Sequence, residues 1–148
     1  MQYSFSRKAF AETLLRSMGK TMLLCAVLMG STHYALQGAL GRDLHVNPAF
    51  AVTIVSYLAF VLGWGTAYSR YFRFPGDQKI LLGGAAAAAA IVSILGGIIR
   101  LAQGQATLAE WLTALPGHLL GSYIGALLQI YLLVAILRYA VRIGPPSQ

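Results

Sequence analysis

Acidic residues are nearly missing from this chain: four of its 148 residues are Asp or Glu, and only 10% are charged. Soluble domains contain about 25% charged residues, so this composition argues against a water-soluble globular protein. Cysteine is just as scarce. The single Cys25 excludes an intramolecular disulfide framework and any CxxC metal or redox motif. Chemistry that depends on cysteine pairs is therefore not expected.

Long apolar runs occupy most of the chain instead, which is 57% hydrophobic with a mean hydropathy of +0.66. A bilayer core of about 30 Å is crossed by about 20 apolar residues in a helix. Four stretches that contain no Asp, Glu, Lys or Arg have this length: residues 21–40, 50–68, 80–99 and 116–137. The sequence therefore predicts an all-α membrane protein with four transmembrane helices.

The distribution of basic residues predicts the orientation of these helices. Nine lie in the two terminal segments and the middle loop, namely Arg7, Lys8, Arg16, Lys20, Arg70, Arg73, Lys79, Arg138 and Arg142, whereas the other two loops hold Arg42 and Arg100. Basic residues are enriched in cytoplasmic loops, so both termini are expected in the cytoplasm. Short loops and the absence of a targeting presequence favour a bacterial inner membrane. A cleaved signal peptide is the less favoured alternative for the first span.

The net charge of +7 is explained by this orientation and needs no nucleic-acid partner. The chain then divides into a cytoplasmic N-terminal segment of residues 1–20, a single transmembrane domain of residues 21–137, and a cytoplasmic tail of residues 138–148. Neither the loops nor the tail can bury a core. We therefore expect no soluble catalytic domain and no enzyme activity.

Two short helices are expected beside the spans. In the N-terminal segment, apolar residues share one arc and charged residues face away, which predicts a short amphipathic helix. On the outer side, Thr107 and Glu110 have the spacing of a capping box. This box predicts a short helix that lies on the outer membrane surface and ends where Pro116 begins the last span.

Small residues mark candidate packing faces. Gly117, Gly121 and Gly125 recur every four residues and share one face of the last span. A face without side chains lets another helix approach closely, which is how helices associate in lipid. The other spans add five positions of this kind: Gly63, Gly83, Ala87, Ala90 and Gly97. Packing within the chain and packing onto a partner both remain open.

Few polar residues lie within the spans. His33 and Gln37 share a face of the first span, and His118 and Gln129 lie in the last one. These four residues are candidates for a polar pathway or a cofactor site. With His45 in a loop, the histidines belong to the outer half, where a metal, haem or quinone site is one hypothesis. The alternative is simple hydrogen bonding between helices. Haem ligation by His33 and His118 is disfavoured because their depths differ, so no cofactor is expected.

The middle loop contains Arg70, Arg73 and Lys79 around a turn at Pro75 and Gly76. A topogenic turn is the simpler interpretation, and binding of lipid phosphate groups by the three basic residues is the alternative. Aromatic residues near the end of span two, including Trp64 and Tyr68, are expected to form an interfacial belt.

The two halves of the chain share a layout. Each ends with a helix that leads into a basic-aromatic segment, SRYFRF at residues 69–74 and LRYAVR at residues 137–142. This outline resembles small four-helix GtrA-like proteins, and the resemblance covers helix spacing and residues 69–74. It implies a role in moving polyprenyl-linked sugars.

Three functions remain open from the sequence. The first is a non-enzymatic inner-membrane protein that acts by helix packing, as an accessory subunit, a regulator or an immunity protein of a membrane partner. The second is a small oligomeric carrier or flippase for a lipid-linked or small polar substrate. The third is haem, metal or quinone binding at the outer-side histidines. The expected partners are membrane lipids and either a membrane protein or a second copy of the chain.

Overall fold

The described residues of this chain form four helices. The computed structural model describes residues 6–41, 47–72 and 76–142, which contain α1 (Arg7–Leu40), α2 (Pro48–Tyr71), α3 (Gln78–Ala102) and α4 (Leu108–Tyr139). Each helix is long and apolar enough to cross a membrane. The predicted all-α class with four candidate spans is confirmed. Arg42, Asp43, His45 and Arg73 lie outside the described residues.

The helix starts have local causes in the sequence. The side chain of Asn47 accepts the Ala49 N–H, and Pro48 occupies the first turn of α2, where its missing N–H costs nothing. The predicted capping box of α4 is present, with Thr107 and Glu110 each accepting from the other's backbone.

The two short helices predicted beside the spans are not separate elements. Residues 7–20 continue without a break into the first span, so that α1 is 34 residues long. Likewise α4 has 32 residues and carries Pro116 in its interior rather than at the start of the span. Proline lacks only one N–H and prefers a helical φ, so a long helix with favourable neighbours continues through it. The single Gly19 does not end α1 for a similar reason, because glycine weakens a helix by only about 1 kcal/mol.

The helices form an open arrangement around α2. Helix α2 contacts the other three, α3 also contacts α4, and within the described ranges α1 contacts neither α3 nor α4. No residue of α1 is buried. Three helices therefore share a core, and α1 lies against the outside of α2.

Contacts between the helix ends define two ends of the molecule. The Thr13 and Tyr71 hydroxyls are 3.1 Å apart, which joins the beginning of α1 to the last turn of α2. The Arg138 guanidinium of α4 donates to the Phe72 carbonyl. Eight of the nine described basic residues lie in this half of the molecule, which we call the basic end, and Arg100 lies in the other half, the opposite end.

An aromatic cluster holds the basic end together. Phe10 of α1 meets Trp64 and Phe72 edge to face, with ring centroids 5.2 and 5.6 Å apart. Tyr68 is fully buried and Phe72 is 8% exposed. Tyr68 is thus not part of the expected interfacial belt, because it lies in the buried cluster that the helices share. The rings fill the space between helices instead.

Close packing of α2 on α3 depends on Gly84. The indole of Trp64 lies directly on this glycine, where a Cβ atom would overlap the ring, and its Nε1–H donates to the Ile80 carbonyl at 3.2 Å. The alanine run supports the same approach, since Ala85, Ala88 and Ala89 are buried. Small side chains therefore let α3 pack closely against its neighbours.

Gly84→Ala should lower the thermal unfolding midpoint in mild detergent, whereas Gly83→Ala should leave it unchanged or raise it slightly. A methyl group at Gly84 must displace the Trp64 ring and strain its hydrogen bond, at a cost of about 1–3 kcal/mol. Nothing lies within 4 Å of a Cβ at Gly83, and alanine favours the helix. Equal midpoints for the two variants would contradict this packing.

Candidate functional site

The predicted packing positions divide into two groups. Gly63 of α2 lies against Leu14 and Met18 of α1, and Gly97 of α3 lies under the Trp111 ring of α4. Ala87 and Ala90 are half-buried. These four positions therefore lie against or within the packed part of the molecule, whereas Gly83 faces open space.

The three glycines of the last span point out of the molecule. Nothing lies within 4 Å of a Cβ built on Gly117, Gly121 or Gly125. We call these three residues the glycine face. Large apolar side chains beside them are also exposed, among them Leu120, Ile124 and Leu128. The described part of the chain therefore leaves a smooth apolar surface on α4 uncovered.

The four predicted pathway residues are not brought together. His33 and Gln37 lie on α1, while His118 and Gln129 lie on α4, and these helices do not touch in the described part of the chain. Gln129 instead accepts a hydrogen bond from the Tyr57 hydroxyl at 3.0 Å. The His33 Nδ1 atom is shielded from solvent without a hydrogen-bond partner among the described residues. His33 and His118 are thus not positioned to ligate one haem.

A cavity of about 290 Å³ opens between α2, α3 and α4 at the opposite end. His118 lines it, as do Arg100 and Trp111. On its wall the side-chain amides of Asn47 and Gln103 exchange two hydrogen bonds, at 3.0 and 3.1 Å. This pair joins the first turn of α2 to the end of α3 and closes one side of the cavity.

One buried hydroxyl in this cavity has no partner. Ser93 is 8% exposed, and its Oγ atom makes no hydrogen bond to any described residue. An unpaired buried hydroxyl costs about 1–3 kcal/mol, so Ser93 gives the cavity an unused donor and acceptor. Among the described residues, no group of three His, Cys, Asp or Glu side chains is placed to hold a metal ion.

A second cavity, of about 470 Å³, lies between α1 and α2 at the basic end. We call it the basic groove, and it is lined by Ala9, Glu12, Thr13, Arg16, Ser17, Lys20, Thr66, Arg70 and Tyr71. Of the three residues predicted to bind lipid phosphate, two are described, and of these Arg70 lines the groove. Lys79 is exposed at the beginning of α3, and Arg73 lies outside the described residues.

Sequence reasoning missed Arg16 and Lys20 as members of this site. Both were assigned to the solvent side of an amphipathic helix, whereas α1 places them beside α2. Glu12, Arg16 and Lys20 follow one another at intervals of four residues, and this spacing was the available signal because it puts the three charges on one side of the helix.

Comparison with known proteins gives no relative for this chain: no family model, curated protein or solved structure matches it. The resemblance to GtrA-like proteins therefore rests only on helix spacing and on residues 69–74.

Ser93→Ala should keep or raise the thermal unfolding midpoint of purified, ligand-free protein. The variant removes a buried hydroxyl that has no partner, and alanine leaves little empty space. Thr53→Val is the matched control, because the Thr53 hydroxyl is also buried in this cavity but donates to the Ala49 carbonyl at 3.0 Å. It should lower the midpoint slightly. A clear loss of stability in Ser93→Ala would instead show that the hydroxyl is bonded.

Proposed function

We propose that this chain is a non-enzymatic, multi-pass membrane protein that packs its helices against a second membrane protein, as an accessory subunit, a regulator or an immunity protein. The glycine face of α4 is the observation that carries the proposal. A Cβ built on any of its three glycines would meet nothing within 4 Å, so another helix can approach the α4 backbone closely.

The open arrangement of the helices supports this role. Helix α1 touches only α2 among the described elements, so the helices do not close around a central path. The space that α2, α3 and α4 share is filled by Phe60, Ala88, Ala126 and Ile130. The described residues of a single copy therefore enclose no polar route between the helices, and the surfaces that they leave uncovered are available to a partner.

The proposal places the protein in a bacterial inner membrane with the basic end in the cytoplasm. Eight of nine described basic residues lie in that half of the molecule, and basic residues are retained on the cytoplasmic side during insertion. Both termini then lie in the cytoplasm. No cofactor is part of the proposal.

Cysteine labelling in intact cells should verify this orientation. In a Cys25→Ser background, Gln105→Cys at the opposite end should react with a membrane-impermeant maleimide, whereas Gln78→Cys at the basic end should react only after the cells are opened. Both positions are exposed. The reverse labelling pattern would contradict the proposed orientation.

Gly121→Leu should abolish stoichiometric co-purification of the partner from native membranes in mild detergent. The leucine side chain fills the space that a close helix contact requires, which separates the two backbones. Gly30→Leu on α1 is the matched control because its Cβ position is also open, and this variant should retain the partner. Purification of the wild-type chain without any stoichiometric companion would overturn the proposal.

A disulfide trap distinguishes a second copy from a different protein at the same face. In the Cys25→Ser background, Gly121→Cys should give a covalent homodimer on mild oxidation only if two copies pack through α4. If the partner is a different protein, Gly121→Cys should remain monomeric on oxidation. That protein should still co-purify with the wild-type chain.

A second candidate function is that of a small carrier or flippase that works as an oligomer. The opposite-end cavity favours it, because Arg100, His118 and the unpartnered Ser93 hydroxyl line a space large enough for a small polar or lipid-linked group. His33, Gln37 and Gln129 do not line this cavity. Transport through them therefore receives no support from the geometry.

A further inference from the structure

The basic groove extends into the apolar part of α2. Leu14 and Met18 of α1 pack against Gly63, and the Thr13 hydroxyl contacts that of Tyr71. At a rise of about 1.5 Å per residue, Gly63 lies about 12 Å before Tyr71. The charged part of α1 therefore runs alongside the last turns of α2 rather than beyond its end.

The charges in the groove do not balance. Among the described residues that line it, Arg16, Lys20 and Arg70 are cationic and Glu12 alone is acidic. None of the four has an ion-pair partner among the described residues. The three cationic side chains are exposed, so the groove presents a net positive surface that attracts anionic groups. The groove therefore favours an anionic occupant.

The hydrogen-bonding groups of the groove match a phosphate group. A phosphodiester offers only acceptor oxygens, and the groove presents guanidinium and ammonium donors together with the Ser17 and Tyr71 hydroxyls. Arginine binds phosphate through two parallel N–H donors, which lysine cannot do. Two arginines, Arg16 and Arg70, line the groove from different helices.

Exposed leucines lie one turn beyond the groove on both helices. On α1, Leu24 follows Lys20 by one turn and is 58% exposed. On α2, Leu62 precedes Thr66 by one turn and is 37% exposed. Charged residues followed by exposed leucines fit a molecule with an anionic head and apolar chains.

We infer that the basic groove binds an anionic phospholipid, with the phosphate group between Arg16, Lys20 and Arg70 and the acyl chains along the leucines of α1 and α2. The membrane supplies such lipids at high local concentration, and basic pockets between helices on its cytoplasmic side recognise their head groups. This site is independent of the glycine face, because it lies on α1 and α2 and the face lies on α4.

The test is native mass spectrometry of the delipidated full chain, titrated with phosphatidylglycerol or phosphatidylcholine of identical acyl chains. We expect stronger binding of phosphatidylglycerol, weakened by salt. Arg16→Gln and Arg70→Gln should each lower its affinity about five-fold, as expected for the loss of one basic residue near a lipid surface. Glu12→Gln should raise the affinity, because it removes the one negative charge in the groove.

Two controls separate this site from a general effect of positive charge. Arg100→Gln at the opposite end should leave the preference for phosphatidylglycerol unchanged, and Arg70→Lys should give an affinity between those of the wild type and Arg70→Gln, because the charge remains but the paired donors are lost. If Arg16→Gln or Arg70→Gln fails to fold, the increase in phosphatidylglycerol affinity expected for Glu12→Gln still tests the site.

Three results would overturn the inference. The first is equal binding of the two lipids by the wild-type chain. The second is a loss in Arg100→Gln as large as that in Arg70→Gln. The third is displacement of all bound lipid by millimolar inorganic phosphate with no lipid preference, which would assign the groove to a soluble anion. Failure to find a protein partner through the glycine face would leave all of these measurements unaffected.

Discussion

The contact between Trp64 and Gly84 is the interaction on which the basic end depends. Because α3 has no side chain at this position, the indole ring brings α2 and α3 close together, and its Nε1–H is satisfied by the Ile80 carbonyl. The same ring then provides the surface on which Phe10 of α1 packs. Phe72 completes the cluster, and its carbonyl receives the Arg138 guanidinium of α4. One tryptophan on a glycine thus orders the ends of all four helices.

The spans could be predicted because the pattern that marks them lies in consecutive residues of the sequence. A charge at each end and about 20 apolar residues between them can be recognised without knowing any contact, as with Lys79 and Arg100, which flank residues 80–99 within α3. The capping box at Thr107 was visible for the same reason, since it is a local pattern that the structure contains. Helix continuity was not visible, because Pro116 ends a helix in one context and is tolerated in another.

The direction of a small-residue face could not be predicted from the sequence. Gly97 and Gly121 both belong to patterns typical of packing, yet one lies under Trp111 and the other faces open space. The difference depends on which helix lies opposite, a three-dimensional property that spacing does not encode. The packing of the N-terminal part of α1 beside α2 was not predicted, for a related reason. An amphipathic arc predicts a surface helix and a helix packed beside a span equally well, and only the contact of Met18 with Gly63 distinguishes them.

The separation of the two candidate sites follows from the central position of α2. Helix α1 lies on one part of its surface, and α3 and α4 occupy another, so that α1 and α4 do not meet within the described ranges. A lipid held between Arg16 and Arg70 therefore does not cover Gly121, and a helix packed on Gly121 does not displace that lipid. Binding of a protein partner and binding of an anionic lipid can thus occur together. The lipid would then hold α1 against α2, where the protein alone buries no residue of α1.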